Sequence, residues 1–174
     1  MPTITERYAS YTSPRWLVPS VQCLLSTVPP RHLQSLSEVV LTNSMSIGPG
    51  KTGRVRGRKH ARDSCRGFYH RARDRAPAWL ELVVDNTFRG IPPSVLSFSA
   101  VREVVLGDVL YHELGHHFDL TVGAPARTGE KAADSWSVRL LRQHVRQRHR
   151  FLRSLLALAV PVIRFEAKRR ANRS

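Results

Sequence analysis

The side chains best suited to chemistry cluster between Tyr111 and Asp119 (YHELGHHFD). His112, Glu113 and His116 make an H-E-x-x-H. The i, i+4 spacing puts both imidazoles on one helical face, a turn apart, where they can grip a single tetrahedral ion. Zinc suits such a pair. Glu113 is one step round the helix from His112, so it can reach a water held by the ion without occupying a coordination position. Zinc lowers the pKa of that water to about 7, and Glu113 is placed to take and return its proton.

A catalytic zinc takes three protein ligands and leaves one position open. The metzincin pattern would need glycine at position 119 and histidine at position 122; Asp119 and Val122 stand there instead, which excludes that class. A carboxylate from a following helix is the alternative. Glu130 and Asp134 (E-x-x-A-D) share a helical face at i, i+4, so Glu130 can ligate while Asp134 accepts a hydrogen bond from a ligand histidine. Asp119, three residues beyond His116, fits either such a supporting role or that of an alternative ligand. His117 points off the ligand face. His144 and His149 are expected to face solvent, and Trp79 and Trp136 to belong to the core.

The elements that must carry these residues follow from periodicity. Val101, Val104, Val105, Val109, Leu110, Leu114 and Phe118 recur at helical spacing, so the motif lies on a helix over 100–120. A second long helix begins near Glu130 and is expected to run to Pro161. A short helix over 16–28 precedes Pro29 and Pro30. Strands are predicted at 36–42 (LSEVVLT), 67–70 (GFYH) and 78–84 (AWLELVV), and residues 1–13 are expected to fray. The result is an α+β fold: a small mixed or antiparallel sheet packed on the motif helix, with a long C-terminal helix. Three parts are expected: an N-terminal segment with a short helix (1–35), a metallopeptidase domain (36–160) containing a Gly- and Arg-rich loop (43–66), and a basic tail (161–174).

On YHELGHHFD and EKAAD (Glu130 to Asp134), with about residues 36–141 around them, the chain resembles the gluzincin metallopeptidases. The resemblance implies a minimal zincin-like fold, zinc held by His112, His116 and Glu130, Glu113 as general base, and Asp134 supporting a ligand. It also implies that the strand before the motif helix, here Leu80, Glu81, Leu82, Val83 and Val84, binds a peptide or protein substrate as an added strand. Only 13 residues separate His116 from Glu130, fewer than in thermolysin. Tyr69, His70 and Tyr111 are open candidates for stabilising the transition state.

Charge supplies a second line of argument. The chain carries 28 Lys+Arg against 13 Asp+Glu, net +15. Residues 51–75 hold ten bases and two acids and residues 135–174 eleven bases and one acid, whereas 76–134 hold four bases and eight acids. The carboxylates therefore sit where metal chemistry needs them, between two blocks attractive to nucleic acid or another polyanion. Arg139, Arg142, Arg146, Arg148, Arg150 and Arg153 surround the last helix without an evident single stripe. Cys23 and Cys65 form no C-x-x-C, so neither a disulfide scaffold nor a thiolate knuckle is expected. The longest apolar run, 155–163, contains Pro161 and is about half of what spanning a bilayer takes. A cytoplasmic zinc metallopeptidase is the expected function; the alternative is a basic nucleic-acid-binding module whose zinc site is structural or vestigial.

Overall fold

The β-branched run Leu36–Thr42 forms β2, and Ala78–Val83 forms β6; they pair in parallel at the centre of a four-stranded sheet. Thr3–Arg7 (β1) adds in parallel to the outer side of β2, and Gly67–His70 (β5) adds antiparallel to β6, giving the order β1-β2-β6-β5. Strand alternation buries Val39, Leu41, Leu80 and Leu82 on one face, while Trp79 and Glu81 stay half-buried on the other. These observations come from a computed structural model that describes residues 1–47, 52–55, 58–61, 65–74, 76–121 and 129–149, without the side chains of 52–55, 58–61 and 120.

The buried face is covered by α5 (Ser99–Thr121), whose Leu106, Leu110, Leu114 and Phe118 are fully buried in the same cluster. Leu17–Ser26 (α1) packs against α5 through Leu17, Val21, Leu24 and Leu25, and the Tyr111 hydroxyl donates to the Leu24 carbonyl at 2.9 Å. Glu130–Arg148 (α6) runs antiparallel to α5: Gly115 meets Ala133 near one end, and Glu103 meets His144 near the other. Short helices at Ser44–Ile47 (α2), Val84–Thr87 (α3) and Pro93–Leu96 (α4) turn the chain between the larger elements. The architecture is α+β, as the pattern predicts.

Some boundaries move. Within residues 1–35, β1 is a sheet strand and α1 belongs to the core, and residues 1–13 contain that strand instead of fraying. The basic stretch 43–66 contains α2 and an antiparallel hairpin, β3 (Thr52–Val55) with β4 (Arg58–Ala61). Described helix α6 ends at Arg148, short of Pro161; the expected tail, 161–174, lies outside the described residues. Among the described residues no helix is long and apolar enough to cross a membrane.

Candidate metal centre

Gly115, inside the H-E-x-x-H, decides how closely the two long helices approach. A Cβ there would sit 2.6 Å from the Ala133 Cα and 2.8 Å from its carbonyl oxygen, so only glycine admits the α6 backbone at this spacing. That approach carries the first turn of α6 over the motif. His112 Nε2 lies 3.4 Å and His116 Nε2 3.8 Å from Glu130 carboxylate oxygens, and the donor atoms of all three lie within 4.8 Å of one another. Ligand atoms around a tetrahedral ion with bonds of about 2.0–2.2 Å are roughly 3.3–3.6 Å apart; the chemistry of the donor set suits zinc, with the His112–Glu130 separation inside that range and the His116–Glu130 separation slightly beyond it.

Around these three residues the structure adds orientation. His112 Nδ1 donates to Asp134 Oδ1 at 3.2 Å, which turns the Nε2 lone pair toward Glu130. Burial disfavours the charged form of His112, but the Asp134 hydrogen bond and the Glu113, Asp134 and Glu130 charges outweigh it and raise its pKa. Burial, with the neighbouring His112 charge, lowers that of His116. Asp119 touches neither histidine through a hydrogen bond; its Oδ2 accepts the Gly129 amide at 3.0 Å, tying the end of α5 to the residue that precedes Glu130. Gly129 has φ +77°, which glycine tolerates at the entry to α6.

Glu113 is buried beneath β5. A Cβ on Gly67 would fall 2.9 Å from the Glu113 Cγ, so the strand lies directly on the carboxyl group, and the Tyr69 backbone amide also approaches it. Burial pushes the Glu113 pKa up to about 7, with His112 and Arg66 opposing and Glu130 reinforcing the rise. A carboxyl group at that value can accept and return a proton at neutral pH.

The expected peptide-binding strand requires correction. Residues Leu80 to Val83 lie in β6, which is paired with β2 on one side and β5 on the other, and Val84 already belongs to α3. Neither edge of β6 is open to a further strand. On the β6 side of the sheet the terminal strand is β5. The Val83 amide donates to the Arg66 carbonyl at 2.8 Å, so antiparallel alternation turns the backbone groups of Gly67 and Tyr69 away from β6.

Of the three open candidates for transition-state stabilisation, Tyr111 is a core residue. His70 lies on the far face of the sheet, stacked on Trp79 and 3.0 Å from Glu81. Tyr69 faces α5, and its hydroxyl lies 3.2 Å from His117 Nδ1. His117 is fully buried, with Nε2 3.0 Å from the Gln34 carbonyl; a carbonyl only accepts, so Nε2 carries the proton and Tyr69 donates to Nδ1.

Two further expectations change. His144 is buried, not solvent-facing, and both it and His149 contact Glu103. Arg139, Arg142 and Arg146 do form a stripe, lining one shallow groove with Ser135, Val138, Gln143 and Gln147 on the outer face of α6; Arg150 and Arg153 lie outside the described residues. The chain matches no protein-family model, no curated protein and no solved structure.

Proposed function

We propose that this chain is a small zinc-dependent peptidase of gluzincin type. The observation that supports it is the convergence of His112, His116 and Glu130 within 4.8 Å, with Asp134 behind His112 and a buried, near-neutral-pKa Glu113 alongside. Zinc bound to those three side chains would supply Lewis acidity and a water acidic enough to attack near pH 7. Glu113 takes one proton from the attacking water and delivers it to the amine nitrogen as the C–N bond breaks, so that water is divided between the two products. Outward-facing backbone groups of Gly67, with the Tyr69 carbonyl, on β5 align the peptide as an added strand beside Glu113.

The test pairs metal content with turnover. Glu113→Gln should retain zinc and lose roughly 10²- to 10⁴-fold in peptide hydrolysis, the range expected for a general base. Zinc binding unaffected by combining His112→Ala with His116→Ala would overturn the reading.

The Arg139, Arg142 and Arg146 stripe favours a second reading, a polyanion-binding module in which the zinc site has no hydrolytic role. Nucleic-acid binding that survives His112→Ala, in a protein that cleaves no member of a peptide library, would select it.

A further inference from the structure

At the other end of the α5–α6 pair a second group of side chains converges. Cys23 of α1, Glu103 of α5 and His144 of α6 bring donor atoms within 4.8 Å of one another. His149, just past the end of α6, lies outside that 4.8 Å group but touches it: its Nε2 and that of His144 each lie 2.7 Å from the same Glu103 oxygen, Oε2. Glu103 and His144 are buried, and His149 nearly so. Glu103 stands nine residues before His112 and thirteen before His116 on the same helix. That is about 14–20 Å along its axis, so this group is separate from the candidate hydrolytic centre.

The Thr27 hydroxyl lies 2.9 Å from His144 Nδ1, which holds the ring with Nε2 aimed at the Glu103 carboxylate 2.7 Å away. One thiol, one carboxylate and two imidazoles are a donor set that zinc takes. A divalent ion held by one thiolate, one carboxylate and two neutral imidazoles gives a centre of zero net charge.

We propose that Cys23, Glu103, His144 and His149 form a second, closed metal site that takes zinc and clamps α1, α5 and α6 together. With four protein ligands it has no open position and is structural, not catalytic. Ion binding releases the Cys23 thiol proton and any proton shared between Glu103 and the imidazoles to solvent. It also parts the nitrogen and carboxylate atoms by about half an ångström, from hydrogen-bonding distance to ligand spacing. The Thr27 hydroxyl then orients His144 as Asp134 orients His112.

Sulfur distinguishes the two sites, because His112, His116 and Glu130 contribute none. The metal-free full chain titrated with Co²⁺ should develop a near-ultraviolet sulfur-to-cobalt charge-transfer band. Cys23→Ser should abolish the band, whereas Cys65→Ser and His112→Ala should leave it in place. In the unsubstituted chain, Co²⁺ or Zn²⁺ should protect Cys23 from alkylation without changing the rate at Cys65, a readout that does not depend on any variant folding. Saturation with cobalt that produces no sulfur band and leaves Cys23 as reactive as before would overturn the second site, while leaving the peptidase reading untouched.

Discussion

His117 has both ring nitrogens engaged in one neutral arrangement, donating to Gln34 and accepting from Tyr69. Burial holds its pKa below the ordinary 6.5, against the small upward pull of the Gln34 bond. The unfolded chain therefore takes up this proton at a higher pH than the folded one. Its contribution to stability is complete above about pH 6.5 and is lost as pH falls below that value toward the folded pKa. In urea melts of the metal-free chain at pH 5 and pH 7.5, His117→Leu should reduce the acid loss of stability. It should also cost about 1–3 kcal/mol at either pH, because the buried Gln34 carbonyl and Tyr69 hydroxyl lose a partner. An unchanged difference between the two pH values would refute the assignment. Spacing alone brings out His112, Glu113 and His116 on one helix and Glu130 and Asp134 on the next, because i, i+4 geometry is local; that the two groups meet is set by the packing of α6 on α5. His144 escapes such a reading. Its sequence neighbours are Arg, Gln and Val, and its burial comes from Glu103, 41 residues earlier, which periodicity cannot see.

Between elements, the decisive contact is Gly115 against the α6 backbone. Replacing a helical glycine with alanine ordinarily stabilises a helix by up to about 1 kcal/mol. Here the added methyl meets Ala133 Cα and carbonyl atoms, which no side-chain trimming can clear. Gly115→Ala should therefore force the helices apart, with an overpacking cost of about 1–3 kcal/mol. It should also weaken zinc binding by withdrawing Glu130 from the histidines; calorimetric zinc titration and thermal melts check both, and a variant as stable and as tight-binding as the parent would rule out this role. The strands show where sequence patterning succeeds and where it misleads. β2 and β5 have their predicted bounds, and β6 differs by one residue. The resemblance makes β6 the substrate strand because it precedes the motif helix, but its apolar richness marks a strand buried at the sheet centre. β1 (TITER) has little apolar content, because an edge strand is held mainly by its backbone.

Across the whole molecule, charge is the property most open to measurement. The outer arginines of α6 and a net charge of +15 predict polyanion binding that weakens as salt rises. If Arg139, Arg142 and Arg146 each contact one phosphate, replacing all three with Gln should reduce the slope of log affinity against log salt by about 2.7. An unaltered slope would place the contacts elsewhere on the chain. Arg148 is exposed as well but does not line the groove, so arginine content and exposure alone do not pick out the stripe. The antiparallel arrangement of α5 and α6 also bears on biosynthesis. The histidine pair emerges from the ribosome before Glu130, whose carboxylate reaches them only when α6 folds back and seats on Gly115. On the proposed peptidase reading, a nascent chain halted at residue 129 would hold two of the three donor side chains, so hydrolytic competence would have to await the synthesis and docking of α6.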